Sequence, residues 1–103
     1  MRGVSPASAQ EQIANGSVVA LDVRTQAERA AGWIAGSLHL PLSRLTAQAD
    51  QLPRDTPLLI FCAGGYRSSI AASLLEARGF SVRELAGGLA AWEQARLPLE
   101  KRA

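Results

Sequence analysis

Nine consecutive residues hold the reactive side chains of this sequence closest together: Phe61-Cys62-Ala63-Gly64-Gly65-Tyr66-Arg67-Ser68-Ser69. An apolar run ends at the only cysteine, a glycine pair follows, and helix-forming residues begin near Arg67 or Ser68. Gly64 and Gly65 let the backbone curl tightly, so that successive N–H groups can converge as an anion nest. The first turn of the following helix adds unpaired N–H groups and the positive end of its dipole. Arg67 adds a permanent cation whose fork geometry suits oxyanions. Each of these favours thiolate over thiol, so the segment predicts a lowered Cys62 pKa and an anionic substrate. An isolated cysteine is more often a small buried hydrophobe. Here the adjoining Gly-Gly and Arg make a purely apolar setting awkward. Tyr66 is expected to be a loop side chain shaping the entrance.

Such a loop needs a strand to deliver it and a helix to receive it. Leu58-Leu59-Ile60-Phe61 is apolar at every position, which suits a central strand covered on both faces. Other short apolar runs lie at Val18–Leu21, Leu38–Leu40 and Val82–Leu85. Helix signals alternate with them. Ser5-Pro6 reads as N-cap and first helical residue, with Asn15-Gly16 as the stop. Thr25 and Glu28 have capping-box spacing. Ser43 is placed to cap a short helix through Asp50, ended by Pro53 and Pro57. A longer helix is expected from Ser68 to Arg78, with Ile70 and Leu74 on one stripe, Ala71 and Leu75 beside it, and Gly79 as the left-handed stop. Gly87-Gly88 opens a last helix bearing Leu89 and Trp92. Strand–helix alternation with short links predicts an α/β fold, a mostly parallel central sheet with helices on both faces. Ligands then bind beyond the carboxyl ends of the strands, where Cys62 falls.

Composition narrows the function classes. The chain has 103 residues, 11 Lys+Arg against 9 Asp+Glu, and a formal net charge of +2. Ten of the basic residues are arginines spread along the chain, which is not the footprint of a nucleic-acid binder. One cysteine excludes a disulfide scaffold or multi-cysteine metal site, and His39 alone offers little for a metal centre. No cofactor or metal is therefore expected. No apolar run is long enough for a bilayer span or a secretory core, so the expectation is a cytoplasmic protein with no membrane partner. Of the 48% of residues that are hydrophobic, 19 are alanines, leaving one modest core and a single domain over 1–103.

Three segments, in order, resemble the rhodanese family of sulfurtransferases. Leu21-Asp22-Val23-Arg24, Glu28, Gly32-Trp33-Ile34-Ala35-Gly36-Ser37 and Leu40-Pro41-Leu42 are similar to its first characteristic stretch. Cys62-x-x-Gly65-x-Arg67-Ser68 is similar to its active-site loop, and Leu85-Ala86-Gly87-Gly88 with Trp92 to its closing segment. Trp33 stands where the family commonly has His, and Arg29 where it has an aromatic residue. Ala63 and Gly64 occupy positions that are basic in some thiosulfate-using members. The resemblance implies a small rhodanese-like domain that moves a sulfane sulfur from thiosulfate or a small persulfide to a thiol, cyanide or protein acceptor. It implies that Cys62 is the nucleophile and becomes a persulfide. The amides of Ala63, Gly64, Gly65, Tyr66, Arg67 and Ser68 would hold that persulfide, and Arg67 would help bind the donor. Asp22 and Arg24 are expected to pair structurally, Glu28 to cap a helix, His39 to pack near the loop, and Trp33 and Trp92 to be core residues. With one guanidinium in the loop, a small persulfide should serve as donor at least as well as thiosulfate. Two alternatives stay open: a non-catalytic persulfide carrier or sensor module, and a cysteine phosphatase or arsenate reductase. The latter carry Cys-x5-Arg, whereas Cys62 to Arg67 is Cys-x4-Arg with Ser68 at the next position.

Overall fold

The structure, a computed structural model, describes residues 3–101. Its sheet has five parallel strands in the order β1-β5-β4-β2-β3: β1 Gly3–Val4, β2 Val19–Asp22, β3 Leu38–His39, β4 Leu58–Phe61 and β5 Val82–Leu85. The expected α/β fold with a parallel sheet is present. The central strand is β4, buried at all four positions. Alternation along it divides the core in two. Leu58, Ile60 and Cys62 face a cluster containing Leu21, Leu45, Ala71, Ala72, Leu75 and Phe80. Leu59 and Phe61 face the opposite cluster with Ala9, Ile34, Leu89 and Trp92. Helices α1 (Pro6–Ala14) and α5 (Gly88–Gln94) cover that second face, and α3 (Leu45–Gln48) and α4 (Tyr66–Ala77) cover the first. The six-residue α2 (Gln26–Ala31) links β2 to β3 and buries none of its residues.

Local chemistry explains the element ends. Ser5 accepts a hydrogen bond from the Ser8 amide at 3.3 Å, with Pro6 in the first turn of α1. Thr25 and Glu28 close a reciprocal capping box on α2. At the end of α4, Gly79 (φ +90°) is left-handed; its N–H bonds Glu76 and that of Phe80 bonds Leu75, a Schellman stop.

Four details differ from the sequence expectations. Strand β1 pairs with β5 through two residues, too few to leave a periodic pattern. Ser43 caps nothing: it lies inside a 3-10 turn, Leu42–Arg44, that runs into α3 and a second such turn, Ala49–Gln51. The buried stripe of α4 is Ser68, Ala71, Ala72 and Leu75, while Ile70 and Leu74 are 39% and 37% exposed. Small residues at 68, 71 and 72 bring the helix close to the sheet and turn the larger apolar side chains outward. Trp92 is a core residue, but Trp33 is half-buried at the surface, under the Arg29 guanidinium at 5.7 Å.

Candidate active site

The chain runs from β2 outward to β3, then crosses to the other side of β2 to form β4. The carboxyl ends of β2 and β4 therefore flank the point where strand order reverses, the usual ligand crevice of an open parallel sheet. Asp22 and Phe61 are register partners there. Val23-Arg24-Thr25 leave from one strand and Cys62–Gly65 from the other.

Cys62 is held from below by both neighbours. The Val23 amide donates to the Phe61 carbonyl at 3.1 Å, and the Leu89 and Ala90 amides donate to the Cys62 and Ala63 carbonyls at 2.8 and 3.0 Å. Gly88 makes this possible. A β-carbon there would fall 2.7 Å from the Ala63 oxygen and 2.8 Å from the Cys62 oxygen, and its φ is +65°. Any side chain would push the cysteine loop off α5. The sequence signal was the Gly87-Gly88 pair, which marked a helix start but not what that helix supports.

Above the strand the loop curls over the sulfur. The Gly65 N–H donates to Sγ at 3.1 Å and the Ser68 N–H at 3.3 Å. Gly65, with φ +107°, makes the sharp turn that aims both amides inward and starts α4. The Cys62 thiol donates to Ser68 Oγ at 3.6 Å, and that hydroxyl donates to the Gly65 carbonyl at 3.2 Å; once the sulfur is a thiolate, the hydroxyl turns its proton to Sγ. Cys62 and Ser68 are both buried. Burial pushes the thiol pKa up. The Ser68 N–H and hydroxyl, with the Gly65 and Gly64 N–H groups, outweigh it and leave the thiol below its ordinary value. Every hydrogen-bonding partner of Sγ among the described residues is uncharged.

The other loop residues divide. Ala63 and Gly64 are exposed at the mouth, whereas Tyr66, expected in the loop, is instead the first residue of α4 and is 80% exposed. Arg67 does not lie open. Its guanidinium grips Glu28 through two parallel bonds, Nη1 to Oε1 at 2.6 Å and Nη2 to Oε2 at 2.8 Å. Glu28 Oε1 also accepts from the Thr25 N–H and hydroxyl, each at 3.0 Å. One carboxylate thus joins the first turns of α2 and α4. The Arg67 bonds hold the Glu28 pKa down at about 2 and raise that of Arg67. The capping role of Glu28 was legible from its spacing to Thr25; its partner 39 residues away was not.

Beside the loop, the expected Asp22–Arg24 pair is present and buried. Arg24 Nη2 lies 2.8 Å from Asp22 Oδ2 and donates to the Gly32 carbonyl at 2.6 Å, over the Phe61 ring. Arg29 reaches the same carboxylate at 3.4 Å and the Ser37 carbonyl at 2.8 Å. His39 donates through Nε2 to the Arg24 carbonyl at 2.8 Å, a packing role close to the loop. The two residues that depart from the family pattern, Arg29 and Trp33, stack on each other. Among the described residues no cluster of acids, His and Cys has metal-binding geometry, and no helix is long and apolar enough to cross a membrane.

The chain that builds this loop is similar over most of its length to known proteins. Thiosulfate sulfurtransferase GlpE of Ectopseudomonas mendocina is 40% identical over 90 residues, 86% of this chain and 82% of that protein. A sulfurtransferase of Allochromatium vinosum is 36% identical over 83 residues, 80% of this chain and 78% of the relative. A rhodanese-related protein from Thermoplasma volcanium superposes with a TM-score of 0.93 at 30% identity, covering 99% of this chain and all of its own. Residues 5–95 match the rhodanese-like domain as a family, and the chain belongs to it.

Proposed function

We propose that this protein is a sulfurtransferase that carries sulfur on Cys62. The observation that supports it most directly is the pair of amides, Gly65 and Ser68, aimed at Sγ from 3.1 and 3.3 Å with no general base among its hydrogen-bonding partners. A thiolate held in this way needs no base to activate it. It attacks the outer sulfur of a donor, thiosulfate or a small persulfide. The donor's S–S bond breaks, and its electron pair leaves with sulfite or the carrier thiolate. A new S–S bond joins that sulfur to Cys62, and the terminal sulfur carries the negative charge. The loop amides face this anion as they faced the thiolate, which is stabilisation by prearranged dipoles. A thiol, sulfite or cyanide acceptor then attacks the outer sulfur, the Cys62 S–S bond breaks, and the thiolate returns. The sulfurtransferase names of two relatives agree with this reading.

Intact mass spectrometry after donor treatment tests it. The expected result is a gain of one sulfur atom, absent in Cys62→Ser and discharged by an acceptor thiol. A protein that never gains sulfur from thiosulfate or from an organic persulfide would overturn the assignment. A phosphatase reading is disfavoured by the same geometry. Arg67 lies one residue short of that spacing and is turned onto Glu28.

A further inference from the structure

The mouth of the cysteine loop carries a carboxylate that the sulfur chemistry above does not use. Glu28 sits on a different segment, yet both its oxygens are committed to the side chain that was expected to receive the donor. Two further arginines at this end of the sheet are engaged as well. Arg24 and Arg29 both turn onto Asp22 and onto backbone carbonyls. The groups facing Sγ are amides and a hydroxyl. A donor entering this mouth meets a neutral ion pair in place of a free guanidinium.

Resting on the sulfurtransferase reading, we propose that Glu28 is the donor-specificity residue. By neutralising Arg67 it makes the site favour persulfides with a single charge at the reacting end over dianionic thiosulfate. A monoanion is met adequately by the loop amides, which are dipoles rather than charges. A dianion finds the attraction of Arg67 cancelled by the Glu28 carboxylate, and no unpaired cation in the loop offsets its lost hydration. Glu28 acts through Arg67 and the local field and makes no bond to the reacting sulfur, so it is a positioning and selecting residue.

Glu28→Gln isolates the charge, because glutamine at the third helical position keeps the capping box with Thr25. The wild type and this variant are compared in kcat/KM with thiosulfate and with glutathione persulfide, at one pH and ionic strength. A carboxylate and a dianion some ångströms apart in a water-like medium repel by an amount worth about tenfold. The variant should therefore use thiosulfate about tenfold better, chiefly through KM and with a steeper salt dependence. Its use of the persulfide should change by less than about threefold. Arg67→Gln gives the opposite test, a larger loss for thiosulfate than for the persulfide. Parallel changes for both donors in both variants would show a purely structural clamp and overturn the proposal. A binding arm separates this from the activity reading: thiosulfate is titrated calorimetrically into Cys62→Ser with and without Glu28→Gln. About tenfold tighter binding supports the charge selection even if no donor is turned over, in which case the sulfurtransferase reading fails alone. Unchanged or weaker binding overturns it.

Discussion

The ends of β2 and β4 lie side by side, joined in register at Asp22 and Phe61, and they handle charge in opposite ways. Past β2, a buried carboxylate is closed off by two guanidiniums, and its surroundings are completed by the carbonyls of Gly32 and Ser37. Past β4, a buried sulfur is met by amides and a hydroxyl, and the nearest loop cation is engaged elsewhere. Opposite full charges at short range make a rigid contact that excludes other ions. Dipoles stabilise an anion without a counter-charge that must be displaced, so the sulfur end stays open to exchange. The first end is built to hold the sheet; under the proposed function the second holds the sulfur anion that Cys62 presents.

That contrast can be broken from either side. The largest effect is expected in activity: Cys62→Ser should remove sulfur transfer entirely while leaving the unfolding midpoint close to the wild type, since the exchange barely changes volume. Appreciable turnover by this variant would contradict the assignment. On the other side, Asp22→Ala strands two guanidiniums, one of them buried, and should cost about 3–5 kcal/mol in denaturant unfolding. A loss within about 1 kcal/mol would mean water already screens the cluster. Gly88→Ala comes next. A β-carbon at 2.7 Å from the Ala63 oxygen, on a residue with φ +65°, should cost roughly 2–3 kcal/mol and lower transfer further by displacing the loop. Equal stability and activity would show that α5 can shift without moving Cys62.

Smaller effects probe the electrostatics. Ser68→Ala removes a hydroxyl but keeps the Ser68 amide, so the thiol should titrate higher and transfer near neutral pH should fall roughly a few-fold. The Glu28–Arg67 pair carries its own pH signature. Glu28 has a folded pKa of about 2 against an ordinary 4.5, so its contribution to stability is complete above 4.5 and is lost as pH falls toward 2. Acid unfolding of Glu28→Gln should therefore lack the part of the slope that the wild type shows across that window. Identical acid profiles would show that the pair does not persist in solution.

What could be read in advance follows contiguity. The Cys62 loop was legible because strand end, turn glycines and helix start fall within nine residues, and local rules govern all three. The parallel sheet followed from alternation, and the α2 cap from a three-residue spacing. The Arg67 environment was not legible, because its partner comes from 39 residues upstream and only strand order brings the two segments together. The support under Cys62 depends likewise on where α5 lands on the sheet. On α4, apolar size pointed to Ile70 and Leu74, whereas close approach to the sheet selected Ala71 and Ala72. Small residues win a helix–sheet contact when the backbones come near, and hydrophobicity alone does not say how near.

The central claim is that backbone amides hold the sulfur of Cys62 as an anion, and the thiol's own titration tests it. The thiolate absorbance is followed against pH in the folded protein and again in the urea-unfolded chain, with Cys62→Ser as the blank. The arrangement around Sγ predicts a folded midpoint below the unfolded one. The wild type should then gain stability relative to Cys62→Ser as pH rises through the interval between the two midpoints. A folded midpoint at or above that of the unfolded chain would mean that burial outweighs the Ser68 and Gly65 amides, and would contradict the account.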